Sequence, residues 1–348
     1  MKKTIKWGVI GCGGIADRRT LPGMMLADNA ELLAVMDTNR EAAERCKEKY
    51  SAEYAFDKVE DLLALDEIQA VYIASPVFCH LQQVKAAARA GKHILLEKPL
   101  GLDVREAEEI ADICHKAGVK LSVGLMMRFH CYHQKLRELI EQGALGEIVS
   151  ARGQFTCWFP EMKSNWRQEK HLSGGGALMD LSIHSIDLLR YITGFEVVEV
   201  AGIVGNQIFK YNIEDAGSVM MRFSNGAIGY VDSNFNVPDV ASKSKLEIYG
   251  TKGCAVLHNT LSQVEGGQIE IIYADDSVGY DAMQNREDAK SISVEAEFGN
   301  MYTKEIEAFS ESVIHDSKVA ISAEDAIRSQ KIVEAAYASS AQRKFIKI

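Results

Sequence analysis

From Ile5 to Ile10 the chain is a short apolar run that stops at Gly11, and residues 14–27 then have helical character. The same beat repeats. Residues 32–36 read as a strand, Arg40–Tyr50 as a helix rich in charge and alanine, and 53–55 as a short extended segment leading into a helix over 59–65. Strands over 71–74, 93–96 and 120–123 enclose helices over 81–90 and Val104–Ala117. Such alternation predicts a parallel sheet covered by helices on both faces. Gly91 and Gly118 fall where two of the helices should stop, which suits a left-handed C-terminal cap.

After about residue 125 the rhythm changes. Residues 132–142 look helical and 147–157 read as a long strand, and Gly174-Gly175-Gly176 opens a helix running to about Ile192. Segments 197–204, 218–223, 227–235, 245–249 and 255–258 read as antiparallel strands, with Asn225-Gly226 as a tight-turn signal between two of them. Two helices, 300–315 and 323–341, and a short strand over 344–348 close the chain. The fold class predicted is α/β, with a Rossmann domain over 1–124 and a second α/β domain over 125–348 carrying an open, mainly antiparallel sheet. The last helices are free to pack back on the first domain. Val219, Met221 and Phe223 alternate with Ser218, Met220 and Arg222, so both sheet faces carry apolar character. One face packs on helices. The other predicts a subunit interface, as in a homodimer or homotetramer.

Composition narrows the partners. A chain of 348 residues with 47% hydrophobic and 25% charged residues is an ordinary globular protein long enough for two domains. A net charge of -10 argues against nucleic acid or an anionic membrane as partner, since both reward excess Lys and Arg. The seven cysteines are scattered with no CxxC pair, which speaks against a disulfide framework and fits a reducing cytosol. Lys2 and Lys3 precede an apolar stretch, but Lys6 and the glycines break it, so a first strand is a better reading than a signal peptide. No run approaches the ~18 apolar residues of a membrane helix.

The pattern Gly11-x-Gly13-x-x-Ala16 follows a strand and opens a helix, the context that turns a weak motif into a useful one. The first glycine permits the tight turn, the second lets backbone approach a pyrophosphate, and the small Ala16 allows close helix–strand packing. The helix start, with Gly14 and Ile15, then offers free N–H groups to the phosphates. Asp37 ends the second strand, where a carboxylate accepts from the adenosine ribose hydroxyls and repels a 2′-phosphate. NAD is therefore favoured, with NADP left open by Arg40 nearby.

Glu97-Lys98-Pro99 puts a lysine at the carboxyl end of a parallel strand, the edge of such a sheet where ligands bind. Pro99 restricts Lys98 to extended geometry, and a cationic nicotinamide beside the ammonium would bring its pKa toward the working range. Asp180 and His184 stand four apart on one helix face; a histidine there exchanges a proton with a substrate hydroxyl and the carboxylate orients it. Asp187 reads as structural. His130, Cys131 and His133, with His115 elsewhere, lack a recognisable ligand spacing, so no metal is expected. Cys12 reads as a small residue that fits the loop, with partial thiolate character open to it at a helix start. Trp158, Trp166 and Tyr230 are candidates for a sugar-stacking wall, with core packing as the alternative.

With the glycine loop, Ser75-Pro76 after a strand, Glu97-Lys98-Pro99, Trp166-Arg167, and the glycine triplet leading to Asp180 and His184, the chain resembles the glucose-fructose oxidoreductase/inositol dehydrogenase (Gfo/Idh/MocA) family over nearly its whole length. The resemblance implies hydride transfer at a carbinol carbon of a sugar, polyol or derivative, with assembly as dimers or tetramers. It implies that Ser75, Pro76, His80, Glu97, Lys98 and Arg167 join the cofactor site, and that Lys98, Trp166, Asp180, His184 and Tyr230 meet the substrate. Two positions depart from the family pattern. Val77 follows Ser75-Pro76 where many relatives have asparagine, and Ser182 stands where many have glycine. Two rival activities are an NAD-dependent glycoside hydrolase that oxidises its substrate transiently and a catalytically silent NAD-binding regulator.

Overall fold

The computed structural model describes residues 3–274, 282–283 and 290–348. The chain divides into two compact units. The first runs to Met126 and adds Glu169–Gly174 and Asn300–Gln330; the second comprises Met127–Gln168, Gly175–Gly299 and Lys331–Ile348.

Among the described residues, the first unit holds six strands: β1 (Ile5–Ile10), β2 (Ala30–Met36), β3 (Tyr54–Phe56), β4 (Ala70–Ile73), β5 (His93–Glu97) and β6 (Leu121–Gly124). They pair in the order β3-β2-β1-β4-β5-β6, every pair parallel. The order reverses between β1 and β4, and in such sheets this switch point opens a crevice at the carboxyl ends. The near-continuous apolar strands are what a sheet covered on both faces requires. Trp7, Val9, Tyr72 and Leu95 are fully buried, and the Trp7 indole donates to Ser310 Oγ of the helix Met301–Ile314 at 3.2 Å. Gly91 and Gly118 stand at φ 70° and 69° and end their helices as the sequence predicts.

The helix after the glycine loop is shorter than its pattern suggests and contains a π turn, Ala16–Thr20, in which the Leu21 N–H reaches back five residues to Ala16 O. Gly23 then passes so close to the helix Met301–Ile314 that a Cβ there would lie 2.8 Å from Tyr302 Cβ.

Among the described residues of the second unit, nine strands form one sheet: β7 (Ile148–Thr156), β8 (Val197–Gly205), β9 (Ala216–Phe223), β10 (Ile228–Asn234), β11 (Lys245–Gly250), β12 (Gly253–His258), β13 (Gln268–Tyr273), β14 (Lys290–Ser293) and β15 (Ile346–Lys347). The order is β14-β13-β12-β11-β7-β10-β9-β8-β15, antiparallel except for β7 beside β10. β9 and β10 are joined at Asn225-Gly226, where Gly226 takes φ 91°. One face is covered by the helix Ile183–Thr193, and Gly153 lets Ser185 approach to 3.0 Å from where a Cβ would sit. The other face carries Ile203, Met220, Ile228 and Tyr230, all exposed, beside Arg152, Asp232, Lys245 and Glu247. Among the described residues, no helix is long and apolar enough to cross a membrane.

Candidate active site

In the first unit the glycine loop is built for close approach. Gly11 takes φ 96°, and a Cβ there would lie 3.0 Å from Ala74 C and Ser75 N, so the loop presses on the chain leaving β4. A Cβ added at Gly13 or Gly14 would meet no atom within 4 Å, so the outer side of the loop is open where a pyrophosphate would lie. Ile15 is half-buried at the helix start and Ala16 fully buried. The Asp37 carboxylate accepts from Cys12 N–H at 3.0 Å and Asn39 N–H at 2.9 Å, which fixes it beside the loop. Arg40 is turned along its own helix onto Glu44, 2.5 Å away. The cradle, the open space above it and the anchored carboxylate fit a dinucleotide without a 2′-phosphate.

His80 is buried with both ring nitrogens against main-chain oxygens, Nδ1 at 3.1 Å from Pro99 O and Nε2 at 3.1 Å from Ser75 O. Burial lowers its pKa to about 4, so it is a neutral clamp between the segments after β4 and β5. That placement differs from the direct cofactor contact expected of it: no ring nitrogen is turned outward. The Ser75 hydroxyl donates to Gln83 Oε1, and Pro76 is half-buried beside it.

Glu97 ends β5 and accepts from Tyr72 OH at 2.5 Å, which in turn accepts from Thr20 Oγ1 at 2.8 Å. Gly124 on β6 leaves just enough room, since a Cβ there would lie 3.1 Å from the Glu97 carboxylate. Near it is a second carboxyl that the sequence reading missed. Glu305 is 2% exposed, and burial first, then the Glu97 charge, pushes its pKa well above the usual carboxylate range. Lys98 follows at the strand end, half-buried, joined to Pro99 by a cis peptide bond.

In the second unit the glycine at 176 and the helix beyond it are fastened by Glu214, also missed from sequence. Its carboxylate accepts from Gly176 N–H at 2.8 Å, Leu178 N–H at 2.9 Å and Tyr337 OH at 2.7 Å. Burial still pushes its pKa up against those three donors. Only glycine fits here: a Cβ at Gly175 would lie 2.2 Å from Tyr337 OH, and one at Gly176 2.0 Å from Glu214 O. Gly174, by contrast, ends the preceding helix Lys170–Ser173 at φ 78°, so the triplet closes one helix before it opens the next.

Asp180 lies in a second π turn, Leu178–Ser182, marked by Ile183 N–H reaching back to Leu178 O, and His184 follows in the first turn of the α-helix. Asp180 is half-buried; His184 is buried, with Phe155 edge-on at 6.4 Å. Ser182 bonds Ser233 of β10 at 2.9 Å. Asp187 is structural, as expected: the Arg128 guanidinium grips it with two bonds of 2.7 and 2.6 Å, both side chains buried.

The aromatic candidates separate. The Arg167 guanidinium stacks on Trp166 at 4.5 Å, in the segment before the triplet. Trp158 packs edge-on against Phe209 at 5.3 Å, on a turn whose 207–209 N–H groups all bond Asp215. Tyr230 lies on the sheet face opposite the one that Ser233 turns to Ser182. The side-chain alternation of β10 therefore points it away from His184, contrary to the substrate contact expected of it.

His130, Cys131 and Glu265 hold ligand-type atoms within 4.8 Å of one another. Main-chain partners occupy the histidine and carboxylate atoms: His130 Nδ1 accepts from Tyr132 N–H, its Nε2 lies 3.0 Å from Gly266 O, and Glu265 Oε1 accepts from Cys131 N–H. His133, whose pKa burial lowers to about 3, bridges Met127 O and Thr260 Oγ1 beside them. These contacts tie the 260–266 segment to the helix Cys131–Glu141.

Known proteins share the family's sequence pattern and the fold. Residues 5–125 match the family described as an oxidoreductase family with an NAD-binding Rossmann fold, and residues 133–256 match the GFO/IDH/MocA C-terminal domain. The myo-inositol 2-dehydrogenase of Thermotoga maritima is 31% identical over 71% of this chain and 73% of its own. The 1,5-anhydro-D-fructose reductase of Ensifer adhaerens is 28% identical over 76% of this chain and 79% of its own. The structure of a levoglucosan dehydrogenase with NADH and levoglucosan superposes with a TM-score of 0.87 at 23% identity, covering 99% of this chain and 100% of that one. From its glycine loop to its second sheet, this chain belongs to the Gfo/Idh/MocA family of oxidoreductases.

Proposed function

We propose that the protein interconverts a secondary hydroxyl and a ketone on a sugar or polyol, with Lys98, Asp180 and His184 carrying the chemistry. When bound, the nicotinamide supplies the hydride acceptor or donor. An imidazole nitrogen of His184 takes the hydroxyl proton as the alcohol is oxidised and returns it in the reverse direction. Lys98 Nζ donates to the same oxygen, holding it in place and stabilising the charge that develops there. Asp180 orients this pair. The observation that carries the reading is Lys98 at the carboxyl end of β5, in the same sheet whose β1 leads into the glycine loop. The relatives' names, a reductase of an anhydro sugar and a dehydrogenase of an inositol, support a cyclic polyhydroxy substrate.

The test is to incubate the purified protein with NAD and a panel of sugars, inositols and glycosides while following absorbance at ~340 nm, the band of reduced nicotinamide. Net reduction of NAD supports the proposal. Cleavage of a glycoside without net reduction transfers the site to transient oxidation. Binding of NAD with neither outcome makes the protein a silent regulator.

Asp37 is proposed to select NAD over NADP, supported by its anchorage beside the loop and by the pairing of Arg40 with Glu44. Asp37→Ala should narrow the gap in affinity by roughly ten- to a hundredfold, the worth of one charge-assisted hydrogen-bonding group and its repulsion. Isothermal titration with both dinucleotides measures it, and equal affinity in the unmutated protein would reassign the role to Arg40.

The open face of the second sheet supports a homodimer or homotetramer. Ile203 and Ile228, 80% and 53% exposed, stand among paired charges, the mixture that a self-complementary contact of more than ~1,000 Å² requires. Light scattering at micromolar protein should show an assembly, and a monomer would refute it.

A further inference from the structure

Three side chains of the second unit bring ligand atoms to one place. His130 and Cys131 stand at the start of the helix Cys131–Glu141, and Glu265 comes from the segment just before β13. His130 is fully buried, Glu265 is nearly so, and Cys131 is half-buried. The Cys131 sulfur lies 3.9 Å from His130 Nδ1. Every pair among the sulfur, a ring nitrogen and a carboxylate oxygen falls within 4.8 Å.

The imidazole is in the tautomer that a metal ion needs. Its Nδ1 accepts from Tyr132 N–H at 3.2 Å, so that nitrogen carries a lone pair and no proton. Nε2 then bears the proton and donates to Gly266 O at 3.0 Å; the Gly266 N–H, 3.4 Å from the same nitrogen, is the longer approach. A ligating histidine commonly gives its other ring N–H to a main-chain carbonyl in this way. The carboxylate is fixed as well. Glu265 Oε1 accepts from Cys131 N–H at 2.8 Å and Oε2 from Gly299 N–H. Each oxygen has a second lone pair, so these bonds leave it able to ligate. Aromatic rings stand around the set, with Phe298 edge-on to Tyr132 at 5.3 Å and to His130 at 6.2 Å.

We propose that His130 Nδ1, Cys131 Sγ and the Glu265 carboxylate bind one zinc-class divalent ion, with water in the fourth position. Thiolate, imidazole and carboxylate together select a borderline-soft metal over magnesium or calcium, which take oxygen ligands. Zinc bonds of ~2.3 Å to sulfur and ~2.05 Å to nitrogen, at a tetrahedral angle, separate those atoms by about 3.6 Å. The observed 3.9 Å is near that distance, and a contraction on the order of 1 Å closes the widest pair. On binding, the Cys131 thiol releases its proton to solvent, the sulfur bonds the ion, and Tyr132 N–H yields Nδ1 to it. No spacing in the sequence marks this set, because Glu265 lies 134 residues beyond Cys131. The ion joins three stretches of chain, 130–131, 265–266 and 298–299, and acts as a clamp within the second unit. Its presence does not depend on the proposed hydride transfer.

The test adds cobalt(II) chloride and then zinc chloride to the full-length protein, after its thiols are reduced and a chelator is dialysed away. Equilibrium dialysis should find one ion per chain. Cobalt should show a thiolate charge-transfer band and the strong visible bands of a four-coordinate site. Zinc should displace the cobalt and raise the thermal midpoint of the unmutated protein. Cys131→Ser and, as a second variant, Cys131→Ala should lose the thiolate band. These variants and Glu265→Gln should bind zinc more weakly by about tenfold or more, since loss of even a ligand's outer partner costs that much. Failure to bind one ion per chain, or cobalt bound without the thiolate band, would overturn the proposal. So would Cys131 or Glu265 variants that keep the unmutated affinity.

Discussion

Lys98→Met should lower kcat by roughly 10²–10⁴ while leaving folding and NAD affinity nearly intact. Methionine keeps an unbranched chain of similar length and removes the charge with all its donors. The proposed cofactor contacts of Gly11, Gly13 and Asp37 are untouched by the change. His184→Ala should fall by a similar factor. The double mutant should fall by much less than the product, because in the proposed mechanism both groups act on one oxygen. The pH–rate profile of the unmutated enzyme should contain an ionisation that disappears in one of the single mutants. A Lys98→Met protein that turns over within a factor of about three of the original would place the chemistry elsewhere.

Gly176→Ala is expected to be the most damaging small substitution in the second unit. The new Cβ would sit 2.0 Å from the Glu214 carbonyl oxygen, a distance no side-chain rearrangement relieves because the neighbour is backbone. The Glu214 carboxylate would then lose its grip on Gly176 N–H and Leu178 N–H, leaving buried polar groups unpaired. A destabilisation of roughly 3 kcal/mol or more follows from such a buried clash. Asp180 and His184 shift with the start of their helix, so turnover should fall at temperatures where the fold persists. Urea unfolding followed by fluorescence, with turnover measured below the transition, checks both halves. NAD affinity should survive, since the loop and Asp37 belong to the first unit. Wild-type stability in this variant would mean that the triplet is not held as tightly as its contacts indicate.

The parallel sheet was legible because each of its strands is apolar along its length and ends at a turn residue. β1 and the helix Val104–Ala117 lie where the pattern puts them. The glycine loop was legible for the same reason, as its chemistry is local. The parallel pairing of β7 with β10 was not, because their partners are separated by more than seventy residues and alternation does not encode direction. β13 carried a readable signal that went unused: Ile269 and Ile271 are buried and alternate with exposed Gln268 and Glu270. Glu214 gave none. It is one acid in a loop, and its role comes from N–H groups nearly forty residues earlier. Glu305 was hidden by the opposite rule, that charged residues in helices face water; only the packed structure shows it buried near Glu97. His80 was visible, but its sequence neighbours suggested a ligand contact and its burial makes it a clamp.

The π turn that carries Asp180 just ahead of His184 stores one amino acid of slack. Ser182 ties the turn itself to Ser233, and beyond it the helix cannot rotate freely because Asp187 is locked to Arg128. Losing a single codon within this turn would therefore be absorbed where it occurs, the wide turn closing to an ordinary one of about 3.6 residues while the rest of the helix kept its face. The fold would survive, and the acid and the imidazole would stand three positions apart along the chain instead of four, while the helix beyond kept its face. Gene lineages can thus change the geometry of this pair by shortening the chain once, without first finding mutations that rescue the core.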